Sequence, residues 1–176
     1  MEYFLKSKHL GFRHWTNEDL PLALELWGNP KVTAQIGGPF SPEKVRARLT
    51  REIRLFEERS IQYWPIFLLE NHLHVGCAGL RPYAANEAAR ELGFHLLPSF
   101  WGHGLATEAA VAVLEYAFST LDLDTIVAGH HPSNEASRRV LEKLGFEYTG
   151  DEFYEPSGIF EPTYVVRRTH WRPKQQ

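Results

Sequence analysis

The sequence has one cysteine and one methionine in 176 residues. A single thiol excludes an internal disulfide framework and any cysteine-rich zinc module. Long apolar runs are missing too. The longest strictly apolar stretch is Ala109 to Leu114, far short of the ~20 residues of a spanning helix. The start, Met1 to Lys8, has no basic segment followed by an apolar segment and a small-residue cleavage site. Neither charge sign dominates: 19 Lys+Arg face 22 Asp+Glu for a net charge of -3. That balance disfavours direct binding of nucleic acid. No repeat, low-complexity tract or linker interrupts the chain. These absences predict a cytoplasmic protein without a membrane partner. They also predict one domain over residues 1–176, with a frayed tail at 171–176.

What is present is material for a core. Hydrophobic residues make up 43% and aromatic residues 13%. A chain of this length removes roughly 70% of its unfolded surface from water and needs no covalent staple. His9 to Trp15 reads as a first strand. Thr16 and Asp19 resemble a capping box, and Leu20, Ala23, Leu24 and Trp27 follow at helical spacing until Gly28-Asn29-Pro30 stops the helix. Ser41-Pro42 offers a second N-cap. Val45, Leu49, Ile53 and Phe56 form the apolar face of that helix, with Arg46, Arg48, Arg51 and Arg54 as its solvated face. Ile61 to Leu69 and Leu73 to Arg81 read as a hairpin, and Arg90 to Leu97 as the next strand. Ala106, Ala109, Ala110, Val113, Leu114, Ala117 and Phe118 make a stripe that buries against a sheet. Asp124 to Gly129 is a short strand, and Ser133 or Asn134 caps a last helix ended by Gly145. Phe146 to Phe153 and Thr163 to Arg168 close the chain as strands. The order βααβββαβαββ predicts a mixed α/β fold with a mostly antiparallel sheet flanked by helices.

The stretch from Leu92 to Glu108 is the most informative. A strand, a short glycine loop and a helix start leave free backbone N–H groups converging on one spot, with the positive end of the helix dipole behind them. This arrangement binds phosphate without basic side chains. Gly102 and Gly104 permit close approach and positive φ, and Ala106 keeps the helix start small. A Walker A loop is excluded because Gly-Lys-Ser/Thr is absent. A dinucleotide fingerprint would need Gly where Thr107 stands. The other reading of the loop is a plain tight turn.

The segment resembles motif A of the GNAT acyltransferases, Gln/Arg-x-x-Gly-x-Gly/Ala. Gly104 and Ala106 match its two small positions, and Trp101 stands where Gln or Arg is usual. The run Trp-Gly-x-Gly-x-Ala-Thr-Glu-Ala from Trp101 is similar to the ribosomal-protein N-acetyltransferase branch (RimJ/RimL-like). Asn134-x-x-Ser137-x-x-Val140-Leu141-Glu142-Lys143-Leu144-Gly145-Phe146 resembles motif B, and Val75 to Leu80 resembles the family's third strand. The resemblance covers most of residues 8–170. It implies a fold in which strands 90–97 and 124–130 lie parallel and splay at their C-terminal ends, with acetyl-CoA as co-substrate and no metal.

The same resemblance implies a set of site residues. Trp101, Gly102, His103, Gly104, Leu105, Ala106 and Thr107 would cradle the pyrophosphate. Leu96 and Leu97 would supply backbone groups to the pantetheine, and Asn134 would bond a pantetheine amide or simply cap its helix. Arg138 and Arg139 would approach the nucleotide phosphates or remain solvated. The Tyr that many members place four residues before Gly-Phe is Leu141 here. Ser137 is then the candidate acid that returns a proton to the thiolate, or else a backbone or pantetheine contact. Glu91 and Glu155 are the candidate bases, with water relayed by His130 or His131 as a further option. Cys77 between two glycines reads as a small core residue, which favours direct transfer over an acyl-enzyme.

The resemblance implies an amine acceptor, which must be neutral to react. Deprotonating a lysine of pKa 10.4 at pH 7.4 costs about 4 kcal/mol, whereas an α-amine near 7.7–8.0 costs well under about 1 kcal/mol. A site with a weak base therefore favours α-amines or assisted small amines, and the resemblance to the ribosomal-protein branch implies the α-amine of a protein or peptide. A small amine such as an amino acid, polyamine or aminoglycoside is the alternative, and a non-catalytic acyl-CoA-binding regulator is a second. The late acidic residues Glu147, Asp151, Glu152, Glu155 and Glu161 would steer a cationic acceptor or form a solvated rim. A homodimer remains open. His72, His74, His130 and His131 lack a third ligand at metal spacing.

Overall fold

In the computed structural model, which describes residues 2–172, eight strands form one sheet. They are β1 (Leu5–Lys6), β2 (Leu10–Phe12), β3 (Tyr63–Leu68), β4 (His74–Pro82), β5 (Arg90–Leu96), β6 (Thr125–Gly129), β7 (Glu147–Tyr154) and β8 (Ile159–Arg167). Their spatial order is β1-β2-β3-β4-β5-β6-β8-β7. Each neighbouring pair is antiparallel except β5 and β6, which are parallel. Five α-helices accompany the sheet: α1 (Leu20–Trp27), α2 (Pro30–Thr33), α3 (Pro42–Arg59), α4 (Leu105–Ser119) and α5 (Glu135–Lys143).

Side-chain alternation along the strands builds a core on each face of the sheet. Trp64, Ile66, Ala78, Leu80 and Leu92 pack with the α4 stripe and with Leu141 of α5. Tyr63 and Cys77 point the other way, against Trp27 of α1 and Val45 and Leu49 of α3. Each fully buried apolar side chain of this kind contributes roughly 1.5–3 kcal/mol. The start of α4 is tied to the first strands by Glu108. Its carboxylate accepts from the Ser7 hydroxyl at 2.6 Å, the His9 amide at 2.7 Å and His9 Nδ1 at 2.9 Å. Burial alone would raise this carboxyl, but those bonds outweigh burial and hold it below the ordinary range.

Several expected boundaries move. The expected strand His9 to Trp15 shortens to β2, Leu10–Phe12, and is preceded by the two-residue β1. Beyond it, Trp15 leaves the ladder and donates its indole N–H to the Tyr63 carbonyl at 2.6 Å. Pro30 does not merely stop α1. It sits at the first position of α2, where its missing N–H costs nothing, and Asn29 caps the turn by accepting from the Lys31 amide. The final strand begins at Ile159 rather than Thr163. Of the expected frayed tail, Trp171 packs against Phe118 with ring centroids 5.4 Å apart, while residues 173–176 lie outside the described residues.

Candidate active site

The parallel strands β5 and β6 pair only at Arg90 with Ile126 and Glu91 with Val127. Beyond those positions they part, and a cavity of about 640 Å³ opens between them and reaches to the α4 and α5 N-termini. On its other edge β5 stays bonded to β4, where the Leu97 amide donates to the Val75 carbonyl at 2.9 Å. That bond removes Leu97 from the expected binding groups, and its side chain is buried in the α1–α3 core. Antiparallel ladders alternate, so Phe94 and Leu96 turn their backbone groups to the gap. Trp101 takes one of these: its indole N–H donates to the Leu96 carbonyl at 2.8 Å. A residue that replaces the usual Gln or Arg therefore pins the loop to the end of β5 and leaves the Leu96 N–H for a ligand.

Gly102 and Gly104 have φ of 77° and 76°, and a Cβ on either would meet nothing within 4 Å. Gly104 is the N-cap of α4. The first amide bonded back along the helix is that of Glu108, to the Gly104 carbonyl at 3.1 Å. The amides of Leu105, Ala106 and Thr107 have no partner among the described residues. All three residues line the cavity. This is a cradle of main-chain donors at a helix N-terminus, with open space where side chains would stand, and it fits a diphosphate. His103 lies between the two glycines, is exposed, and does not line the cavity.

At the α5 side, Asn134 and Ser137 both line the cavity. Asn134 is a cap in fact: its Oδ1 accepts from the Ser137 amide at 3.1 Å, which leaves its amide N–H groups for a ligand. Arg138 is instead engaged on the outside of α5, pairing with Glu135 and Glu142 at 2.7 Å each. Arg139 is exposed. Neither lines the cavity, because a 3.6-residue period turns both away once Ser137 faces inward.

On the α3 side of the sheet, Glu91, Gly93 and His95 project from one face of β5. The face of Glu91 could not be set from sequence, since a one-residue slip reverses it. The β5 register, with Glu91 opposite Arg81, puts it on the cavity wall. Burial pushes its carboxyl above the ordinary carboxylate range; Arg81 pulls against that, and Glu161 and Glu152 add to the push. His95 accepts at Nδ1 from the Trp27 indole N–H at 3.3 Å. Burial, and then the charges of Arg48 and Arg81, hold its imidazole well below its ordinary pKa. Glu155, the other expected base, is exposed in the β7–β8 turn and stays off the cavity. The neighbouring Tyr154 and Glu161 face inward instead.

The remaining candidates separate by burial. Cys77 is fully buried, and burial pushes its thiol up to about 12, so it is not poised as a nucleophile. His130 and His131 line the cavity; His130 Nδ1 contacts the His131 carbonyl at 2.8 Å and its Nε2 lies 3.4 Å from the Tyr164 hydroxyl. His74 is buried, and its imidazole is pushed down to about 4 by burial. Among the described residues no group of three or more His, Cys, Asp or Glu comes together to hold a metal ion. The acidic run is split: Glu152 accepts from the Tyr83 hydroxyl and Asp151 from Tyr148 at 2.9 Å, while Glu147 and Glu155 are solvated.

Sequence reasoning placed Arg48 on the solvated face of α3, and the structure buries it in the cavity wall. Its guanidinium lies 4.6 Å above the Trp27 ring. A signal was present. Val45, Arg48, Leu49 and Glu52 are i, i+3, i+4 and i+7, the positions of one helix face, and all four are buried. Glu52 pairs with Arg81 and accepts from the Tyr63 amide at 2.8 Å.

A splayed parallel pair beside a glycine-capped helix forms a groove with free main-chain donors at one end, and comparison with known proteins gives the family. The Acetyltransferase (GNAT) domain family matches residues 9–147. The protein belongs to the GNAT acetyltransferase family and is an N-acetyltransferase that uses acetyl-CoA. It is 29% identical over 148 residues to an uncharacterized N-acetyltransferase, YoaA, of Bacillus subtilis, covering 83% of this chain and 84% of that one. A GNAT-family acetyltransferase from Bacillus anthracis superposes with a TM-score of 0.81 at 26% identity, over 94% of this chain and 99% of that one. The ribosomal-protein α-N-acetyltransferase RimL, solved with coenzyme A, shares the fold at a TM-score of 0.78 and 19% identity, over 94% and 98% of the two chains. No described helix is long and apolar enough to cross a membrane.

Proposed function

We propose that the protein acetylates an α-amine by direct attack of the amine on acetyl-CoA in a ternary complex. One observation carries the reading. The free backbone edge of β5, the unpaired amides of Leu105 to Thr107, and the side chains of Glu91 and Ser137 all open onto a single cavity. The α4 amides hold the diphosphate, and Phe94, Leu96 and Asn134 hold the pantetheine as an added strand is held. Acetyl-CoA supplies an activated acyl group, and a β5 N–H polarises its carbonyl. Glu91 takes the proton of the amine, for which its raised pKa suits it. As the C–N bond forms and the C–S bond breaks, Ser137 donates its hydroxyl proton to the departing thiolate and is reprotonated from solvent, while Glu91 releases the amine proton to solvent. The buried Cys77 thiol argues against an acyl-enzyme. Of the alternative small-amine acceptors, an amino acid shares this α-amine chemistry, whereas a polyamine or aminoglycoside would bring a more basic amine that needs more help to lose its proton.

Thiol release from acetyl-CoA, followed with DTNB over a panel of amines, tests the reading. Release that depends on an α-amine is expected, and acetylated product should form in equal amount. Tight binding of acetyl-CoA with no acceptor-dependent release would overturn transfer and leave an acyl-CoA-binding regulator.

A further inference from the structure

The α3 side of the cavity holds a cation without a matched anion. Arg48 is only 9% exposed and lines the cavity. Trp27 and Phe40 offer it their rings at 4.6 and 5.9 Å, contacts that bond none of its N–H groups. Its Nε has no hydrogen-bond partner among the described residues. The carboxylate one helical turn along is already committed. Glu52 gives one oxygen to Arg81 and the other to the Tyr63 amide. A buried guanidinium left in this state is costly unless a ligand completes it, and its planar fork matches a carboxylate.

The same cavity carries the complementary pole. Glu91 and Glu161 line it from β5 and β8. Arg48 lies toward the His95 end of the β5 face, since the Trp27 ring beneath it is bonded to His95. His95 and Glu91 are four residues apart on one strand, roughly 13 Å between Cα atoms, with the Tyr63 ring across β5 between them, and Arg48, Tyr63, Glu91 and His95 all line the one cavity. A molecule with an ammonium and a carboxylate a few bonds apart satisfies both poles.

We infer that Arg48 binds a carboxylate of the acceptor, so that the acceptor class is an amine carrying a carboxylate close to the amino group. This rests on the transferase reading and narrows it. The carboxylate is supplied either by a free amino acid or by an acidic first residue of a peptide. Arg48 is a specificity residue in this scheme, and the proton-transfer groups are unchanged.

The test uses the whole protein with acetyl-CoA and four kinds of probe: the standard L-amino acids, the corresponding amino-acid amides, short amidated peptides beginning with Asp or Glu, and matching amidated peptides with a neutral first residue. The best carboxylate-bearing probe should exceed its neutral counterpart in kcat/KM on the order of 100-fold, as when one partner of a buried charge pair is left unpaired. Preference for free amino acids over their amides assigns the small-molecule source; preference confined to the acidic peptides assigns the peptide source. In Arg48→Met the preference should fall to near unity, and Arg48→Lys should keep part of it, with CoA affinity unchanged in both. Equal or better turnover of the neutral probes by the unaltered protein overturns the inference while leaving transfer intact, and it needs no variant. Calorimetry with N-acetyl-amino acids and their amides in the presence of CoA reads the same subsite without turnover. Equal binding of acid and amide there overturns the inference even if no amine is acetylated, the result that would overturn the transferase reading itself.

Discussion

The Tyr63 hydroxyl occupies the place where a side chain at position 93 would begin. A Cβ on Gly93 would stand 2.1 Å from the Tyr63 oxygen and 2.3 Å from the ring carbon that bears it. The ring therefore lies across β5 between Glu91 and His95, with Arg81 stacked 4.0 Å from its centre. Gly93→Ala is expected to cost about 1–3 kcal/mol of stability, as overpacking does. It should also lower kcat/KM without weakening CoA binding, because it moves the acceptor wall and not the phosphate loop. Combining it with Tyr63→Phe should recover part of the loss. Urea unfolding of the two single variants and the double variant closes the cycle, and strict additivity would sever the link between the two residues.

Gly104→Val forces a β-branched residue to a φ of 76° at the helix start, at roughly 1–2 kcal/mol. Space for the side chain exists, so the fold survives with a melting temperature lower by about 2–8 °C. The added side chain fills the cradle, and CoA affinity should fall at least about tenfold by calorimetry, for the loss of more than about 1.4 kcal/mol. Unchanged affinity would take the loop out of the site.

Glu91 must be ionised to accept a proton, and burial raises its pKa. The acid limb of kcat/KM should therefore lie above the ordinary carboxylate value of about 4.3. Glu91→Gln should remove that limb and reduce kcat/KM on the order of 100-fold. The stability effect has the opposite sign. A carboxyl whose folded pKa exceeds its unfolded one binds the proton more tightly when folded, so its contribution is full below the unfolded pKa and is lost as pH rises through the folded one. The Gln variant should then be more stable than the parent at neutral pH and gain nothing in acid. A melting series across pH checks this, and an unmoved acid limb in the variant would reassign the base.

Ser137→Ala removes a hydroxyl but keeps the amide that Asn134 caps. Turnover should fall more than CoA affinity, with KM for the acceptor little changed. Rescue by Thr at this position would mark the hydroxyl as the active group. Full turnover in the Ala variant would leave position 137 a structural one.

Much of the cofactor end was legible because it is local. The glycine pair, the small residue at the helix start, the α4 stripe and the Asn134 cap are all read from residues adjacent in sequence. Their meaning depends on backbone conformation and helical period. Leu97, Arg138, Arg139 and Glu155 were misplaced for a related reason. Each lies beside a true cavity residue, and only the strand register or the helix phase decides which neighbour faces in. Charge alone puts Arg48 on a solvated face, but its spacing from Val45, Leu49 and Glu52 puts it on the buried one.

The chain by itself determined the class of fold, the order of most elements and the main-chain cradle, since short-range propensity, capping and glycine conformation act within a few residues. Tertiary structure alone decided the acceptor side. Arg48, Tyr63, Glu91 and Glu161 come from four separate elements, and their shared cavity follows from the sheet order and register. No local pattern encodes those, because the free energy that sets them is gained only when distant segments bury one another.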